Sequence, residues 1–127
     1  MSMIIGLDYG SSKVGLATAD SVLLIALPYG VCSPTELPAK LAQASLGQEI
    51  EYLVVGLPLS LTGEDSAQTT EVREFVEKLK QDSGYKVVLI DERFTTSLAV
   101  KQGKDDAVAA MHLLQNYLDS HGPNANQ

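Results

Sequence analysis

Two continuous apolar runs in the second half of the chain constrain the fold more than any other feature. They are YLVVGLPLS at residues 52–60 and KVVLIDERF at residues 86–94, and an amphipathic segment separates them. Uninterrupted apolar runs of this length are typical of strands buried on both faces of a parallel sheet. We therefore expect two neighbouring parallel strands, joined by a helix that begins at about residue 69 or 70 and stops at Ser83 and Gly84.

The first half of the sequence predicts antiparallel strands followed by a helix. Residues 3–8 and 14–19 are joined by the turn YGSSK as a hairpin, and a third strand is expected over 22–31. Ser33 and Pro34 then begin a helix whose apolar positions continue to Ile50.

A last helix is expected from about Asp105 to Leu118. The order β-β-β-α-β-α-β-α predicts an α/β fold: a five-stranded mixed sheet, three antiparallel strands plus two parallel, flanked by helices.

Length, charge and cysteine content limit the organisation and the partners. A chain of 127 residues forms one domain, which we assign to residues 1–119, with 120–127 as a disordered tail. No apolar stretch is long enough for a membrane span, no signal-peptide pattern is present, and the single cysteine, Cys32, fits a reducing cytoplasm. The net charge of −7 argues against an indiscriminate nucleic-acid binder.

Asp8 is the first candidate functional residue, because it ends an apolar strand beside Gly10 and two serines. It could bind a metal for phosphodiester chemistry, or it could lie under the phosphates of ATP as in actin-like ATPases and sugar kinases. Those kinases close two domains around the nucleotide and need a far longer chain. It could also simply cap a turn, which aspartate before glycine commonly does.

Asp106 on the last helix is the second candidate. At about 100° per residue, Asp106 falls on the flank of the apolar face, near Ala110, Leu113 and Tyr117, whereas Asp105 falls on the opposite side. Negative charge is favourable at the start of a helix, which explains the solvent-facing Asp105 well. It explains the core-facing Asp106 less well. Because no Lys or Arg occupies that stripe, a metal shared with Asp8 is the partner we expect.

Carboxylates at neighbouring strand ends would converge on one cleft. Asp8 ends the first strand, and Asp91 and Glu92 end the last apolar run. Together with Asp106 they would suit two-metal hydrolysis of a phosphodiester bond. Oxygen ligands without a Cys/His cluster predict Mg²⁺ or Mn²⁺ rather than zinc.

Basic and hydroxyl side chains flank the same predicted cleft and are candidates for substrate binding. The hydroxyl pair Thr95 and Thr96 is typical of a turn or helix cap, but it also stands where a phosphate could be held. The basic candidates are Lys13, Arg93, Lys101 and Lys104. A solvated surface explains each of them equally well.

Four segments, in order along nearly the whole chain, resemble the YqgF family, also called RuvX, of RNase H-like nucleases. They are LDYGSSKVGLA at 7–17, VVGLPLSLTGE at 54–64, VREFVEKL with VVLIDERFTT up to residue 96, and DDAVAAMHLLQNYLD at 105–119. The resemblance implies an RNase H-like fold in a cytoplasmic protein. It also implies that Asp8, Glu92 of the acidic pair in DER, and Asp106 are the catalytic, metal-binding carboxylates, with Asp91 as the alternative within that pair.

The resemblance further implies a metal-dependent endonuclease that processes the 5′ end of pre-16S ribosomal RNA. The alternatives are a Holliday junction resolvase acting on DNA, or a ribosome-associated module that has lost catalysis. The segment from Ser97 to Lys104 is shorter than the charged segment of related proteins, and its shortening would affect affinity or substrate range. We expect a monomer or a weak homodimer, because trimming an RNA end needs one site and resolving a junction needs two.

Overall fold

The apolar runs of the sequence form the strands of one sheet. The structure is a computed structural model that describes residues 2–10, 12–57, 66–91 and 106–121. The described strands are β1 (Ser2–Tyr9), β2 (Val14–Asp20), β3 (Ala26–Cys32), β4 (Glu49–Leu57) and β5 (Val87–Asp91), and the α-helices are α1 (Leu37–Ser45), α2 (Ala67–Ser83) and α3 (Asp106–His121). A short 3₁₀ turn, Pro34–Glu36, leads into α1.

The strand order is β3-β2-β1-β4-β5, and this topology brings one end of three strands together. β1 pairs antiparallel with β2, and β2 with β3, whereas β1 and β4, and β4 and β5, run parallel. The five-stranded mixed sheet is therefore confirmed, as is the parallel pairing of the two apolar runs. Because β1, β4 and β5 share a direction, their carboxyl ends, including Asp8 and Asp91, lie at the same edge of the sheet.

Strand alternation divides the buried side chains into two cores, one on each face of the sheet. The α1–α2 core contains Ile5, Leu7, Leu53, Val55, Leu41 and Val72, among others. The α3 core contains Ile4, Ala17, Val54, Ala110, Leu113 and Leu114, among others. The described residues thus form three layers, with α1 and α2 on one face of the sheet and α3 on the other. No helix in this described part is long and apolar enough to span a membrane.

β3 begins four residues later than predicted, at Ala26 rather than Val22. The carboxylate of Asp20 accepts the backbone N–H groups of Val22 at 2.8 Å and Leu23 at 3.0 Å, which forms a tight turn. Leu24 then adopts a positive φ of 58°. The apolar residues that suggested a strand therefore lie in a turn at the surface.

Helix ends also differ from the prediction, for local reasons. α1 stops at Ser45 because Leu46 and Gly47 take positive φ angles, so Ile50 belongs to β4 and not to the helix. α2 begins at Ala67, because Ser66 and Thr69 form a reciprocal capping box.

The last helix, α3, continues to His121 instead of ending at Leu118. Asp105, the residues expected to extend β4 and β5 to 60 and 94, and the tail from 122 onward lie outside the described residues.

Burial should suppress the reactivity of Cys32. This side chain is 8% exposed in the α1–α2 core, and burial, followed by the nearby Glu36 carboxylate, raises the pKa of its thiol. Since the thiolate is the reactive form, we expect the folded protein to react with iodoacetamide at pH 8 at least about tenfold more slowly than the same protein in urea. Equal rates in the two states would show that Cys32 is accessible and ionised.

Candidate functional site

Asp8 stands at the carboxyl end of β1, where the hairpin to β2 closes. Its side chain is half-buried, and it lies directly opposite Gly15 of β2. The turn is closed by the N–H of Gly10, which donates to the carbonyl oxygen of Lys13 at 2.7 Å. The hairpin thus holds Asp8 at the rim of the sheet beside a strand position without a side chain.

The first residue of α3 occupies the space above Gly15. A Cβ atom added to Gly15 would overlap the carbonyl group of Asp106 and would stand 3.0 Å from the Asp106 Cβ. Farther along α3, a Cβ atom on Gly6 would lie 2.7 Å from the Cβ of Leu114 and 3.2 Å from the carbonyl oxygen of Ala110. The helix backbone therefore touches the sheet backbone at two glycines, one on each strand of the hairpin.

This close approach brings Asp8 and Asp106 together. Residues opposite each other in an antiparallel pair point to the same face, with Cβ positions about 4.5–5.5 Å apart. Combined with the contact between Gly15 and Asp106, this spacing places the Cβ atoms of Asp8 and Asp106 within roughly 8.5 Å. Two carboxylates on stems this close can approach one shared cation.

Past its midpoint, α3 is fixed by a side chain that bonds to the backbone at the start of β3. The amide oxygen of Gln115 accepts the N–H of Ala26 at 2.8 Å, and its amide nitrogen donates to the carbonyl oxygen of Leu24 at 3.2 Å. Because α3 is held at its first residue and again at Gln115, these contacts set the position of Asp106 along the sheet.

The opposite face of the β1 end is held by α2. The ring of Tyr9 stacks on Phe75 with centroids 4.3 Å apart, and its hydroxyl donates to Glu71 at 3.0 Å. Burial, and then the Glu71 carboxylate, raises the pKa of Tyr9. The residue next to Asp8 is thus clamped to α2, while Asp8 faces α3.

The other predicted site residues divide into two groups. Asp91 pairs with Leu57, so β4 separates it from the strand of Asp8, and Lys13 is exposed in the hairpin turn next to Asp8. The remaining candidates, Glu92, Arg93, Thr95, Thr96, Lys101 and Lys104, lie outside the described residues. Within the described ranges, no three His, Cys, Asp or Glu side chains are grouped so that they could hold a metal ion.

Sequence reasoning missed Gly6, Gly15 and Gln115, the residues that position α3. The sequence did contain a signal for the two glycines. Small residues occupy every second position of β2, at Gly15, Ala17 and Ala19, and Gly6 adds another in β1. Small side chains on one face of two paired strands indicate a close approach of another backbone. Nothing in the sequence distinguishes Gln115 from a solvent-exposed glutamine.

Comparison with known proteins identifies the family. The model of the RuvX family, described as Holliday junction resolvase, matches residues 2–120. The chain belongs to the RuvX family. A protein named "Putative pre-16S rRNA nuclease" from Anaplasma marginale is 40% identical over 131 residues, covering 91% of this chain and 83% of that protein. A protein of the same name from Sulfurihydrogenibium sp. is 35% identical and covers 94% of this chain and 91% of its own length.

The fold of this RuvX chain also occurs in a solved resolvase. T. thermophilus RuvC, determined in complex with a Holliday junction substrate, superposes with a TM-score of 0.61 at 13% identity, and the match covers 98% of each chain. This similarity confirms the RNase H-like fold. The family match begins at residue 2 and therefore includes the Asp8 hairpin.

Replacing Gly15 with alanine tests the close approach. The added methyl group meets backbone atoms of Asp106, which cannot rotate away, so the start of α3 must move. We expect a loss of about 1–3 kcal/mol in the free energy of unfolding, as for overpacked sites, measured by urea denaturation. Any catalytic activity that depends on Asp106 should fall by about 100-fold, because a shift of 1 Å is sufficient for such a loss.

Two other glycines serve as controls for that variant. Gly30→Ala meets the flexible end of Lys40 at 3.3 Å, so we expect it to leave stability and activity nearly unchanged. Gly6→Ala meets Leu114 and Ala110 and should also reduce stability. Its added methyl group does not contact Asp106, so we expect a smaller loss of activity than in Gly15→Ala. Normal stability and activity of Gly15→Ala would contradict the packing of α3 described here.

Proposed function

We propose that this chain is a metal-dependent endonuclease that hydrolyses phosphodiester bonds in structured nucleic acid, with the 5′ end of pre-16S rRNA as its substrate. The observation that carries the proposal is the convergence of Asp8 and Asp106 at the end of β1, in a chain of the RuvX family. We further propose that it acts in the cytoplasm, where Cys32 remains reduced.

The donor set at this site fits Mg²⁺ or Mn²⁺. Asp8 and Asp106 supply carboxylate oxygens from two rigid elements, and both side chains are half-buried, so they are shielded yet open to a substrate. When bound, one or two such cations would activate water and stabilise the leaving oxygen. The protein contributes the fixed spacing, because each carboxylate is held by backbone packing before any metal arrives.

Glu92 is the third carboxylate in this proposal. In β5, Ile90 packs against the α3 core, whereas Val87 and Leu89 pack against the α1–α2 core. Alternation therefore assigns odd positions, including Asp91, to the face away from Asp8. Since Asp91 lies on the face away from Asp8, we favour the other member of the acidic pair, Glu92, as the ligand.

We assign substrate binding to the basic and hydroxyl residues that the sequence analysis named. Lys13 lies in the turn beside Asp8, where its ammonium group would contact a phosphate, and the same role is proposed for Arg93, Lys101 and Lys104, with Thr95 and Thr96 as hydrogen-bond donors. Such contacts carry little sequence information and weaken with salt. With seven Phe and Tyr and no Trp, the chain is better suited to recognising shape than to stacking on single-stranded bases.

Resolution of four-way DNA junctions is the second candidate activity. It is favoured by the fold, since T. thermophilus RuvC with a Holliday junction substrate shares it over the whole chain. A binding module without catalysis is less well supported, because Asp8 and Asp106 are both present and converge.

Removing one carboxylate at a time tests the nuclease proposal. Asp8→Asn and Asp106→Asn keep the shape of each side chain but remove a charge, so we expect Mn²⁺-dependent cleavage to fall by more than the roughly 10- to 100-fold typical of outer-shell partners. Cleavage is measured on pre-16S rRNA with its 5′ extension and on a four-way DNA junction.

Asp119→Asn is the matched control on the same helix. Asp119 is exposed, and it lies roughly 20 Å along the axis of α3 from Asp106. Its role as acceptor from Gln115, at 2.9 Å, can be kept by asparagine. We expect normal cleavage from this variant, and also from Asp105→Asn. Unimpaired cleavage by Asp8→Asn would contradict the mechanism, and cleavage of the junction alone would transfer the assignment to the second candidate.

A further inference from the structure

A groove lies between the edge strand β5 and the second half of α3. Its volume is about 540 Å³, within the range of sites that hold small organic molecules. The described residues that line it include Ile90, Asp91, Asn116, Tyr117, Ser120 and His121. Neither Asp8 nor Asp106 is among them, so the proposed catalysis does not account for the groove.

An aromatic stack on α3 forms part of this groove. The rings of Tyr117 and His121, which are one helical turn apart, lie at an angle of 10° with their centroids 4.7 Å apart. Tyr52 of β4 meets Tyr117 edge to face at 6.1 Å. Tyr117 is half-buried against the α3 core, whereas His121 is exposed. Since Tyr117 covers one face of the imidazole, a second planar ring can stack on the other face.

Hydrogen-bonding groups lie next to the aromatic stack. Asn116 and Ser120 each precede one of its rings, so at about 100° per residue all four side chains fall within roughly 140° of the helix circumference. The Nδ1 atom of His121 lies 3.3 Å from the carbonyl oxygen of Tyr117, which can only accept. This contact leaves Nε2 as an acceptor. An amide, a hydroxyl and an imidazole nitrogen beside an aromatic face are the groups that recognise a nucleobase.

The charges of the groove favour a neutral ring over a phosphate group. Among the described lining residues, Asp91 is acidic and none is Lys or Arg. Phosphate groups need cations, whereas a base gains from stacking and from hydrogen bonds at its edge. The groove therefore suits the base of a nucleotide whose phosphates remain in solvent.

One end of the groove reaches the sheet edge that carries the candidate nuclease site. Asp91 lines the groove and ends β5, and β4 alone separates β5 from β1, so the two outer strands are roughly 10 Å apart. At the other end, His121 lies roughly 22 Å along the axis of α3 from Asp106. A strand whose phosphate reaches Asp8 and Asp106 can therefore place a base a few nucleotides away in the groove.

We propose that the groove between α3 and β5 binds one unpaired base of the nucleic-acid substrate, which stacks on His121 and bonds through its edge to Asn116 and Ser120. This inference rests on the proposed nuclease function. A single stacking position agrees with a chain poor in aromatic residues, because structured RNA presents isolated unpaired bases at bulges and ends. The substrate is then a duplex with an unpaired nucleotide near the cleaved bond.

The fluorescent base 2-aminopurine tests this site, because its emission is quenched when it stacks on an aromatic ring. One RNA hairpin carries it unpaired in a 5′ extension, and a second carries it paired in the stem. Ca²⁺ replaces Mg²⁺, since it binds carboxylate oxygens with looser geometry. We expect the wild-type protein to quench the unpaired probe and to bind that hairpin at least about fivefold more tightly than the paired one.

His121→Ala removes the exposed ring at the end of α3, and circular dichroism should show an unchanged fold. We expect its affinity for the hairpin with the unpaired base to fall at least about fivefold, as when one stacking ring is removed, while the paired hairpin binds as before. His121→Phe keeps a ring and should restore quenching, which it would not do if the imidazole acted through its charge.

Tyr29→Ala is the matched control, because it removes a partly exposed ring from β3 at the opposite edge of the sheet. It should bind both hairpins as the wild type does. The proposal is overturned if wild-type protein binds the two hairpins equally, or if His121→Ala keeps the preference. Tight binding of free AMP without a preference between the hairpins would assign the groove to a free nucleotide and would also overturn it.

Cleavage assays decide the nuclease proposal separately. Binding that depends on the unpaired base, in a protein that does not cleave, would support the groove as a base site and contradict the nuclease function. Normal cleavage without any preference for the unpaired base would contradict the proposed role of the groove alone.

Discussion

The contact between the backbone of α3 and Gly15 of β2 is the constraint on which the arrangement of the site depends. A glycine at this position lets the first residue of a helix rest on a strand without an intervening side chain. The Cβ atoms of Asp106 and Asp8 consequently lie within roughly 8.5 Å of each other. A larger residue would push Asp106 away from Asp8, so this glycine determines the geometry of the candidate site.

The acidic residues take their positions from apolar packing on both sides of β1. The α3 core and Gln115 fix the helix that carries Asp106, and the stack of Tyr9 on Phe75, with the hydrogen bond to Glu71, fixes the strand that carries Asp8. An aromatic pair of this kind contributes about 1 kcal/mol beyond its buried area. The surrounding cores therefore determine where the two aspartates lie.

The pattern of apolar residues in the sequence was sufficient to predict the sheet, its parallel pair and the helix carrying Asp106. An element buried on one face has apolar residues at regular intervals, and a strand buried on both faces is apolar throughout. The pattern placed the start of β3 wrongly, since Val22 and Leu23 are apolar yet follow Asp20, whose carboxylate turns the chain. Both residues are exposed, so their hydrophobicity does not reflect burial in a strand. Contacts between distant residues, such as Gln115 with Ala26, leave no local pattern and could not be predicted.

Binding of Mn²⁺ tests most directly whether Asp8 and Asp106 form one site. Calorimetric titration of the wild type, Asp8→Asn, Asp106→Asn and the double variant forms a cycle that measures the coupling between the two carboxylates. If they share a cation, each single variant loses most of the affinity and the double variant loses little more. Independent, additive losses, or wild-type affinity in either single variant, would show that the two carboxylates do not act together.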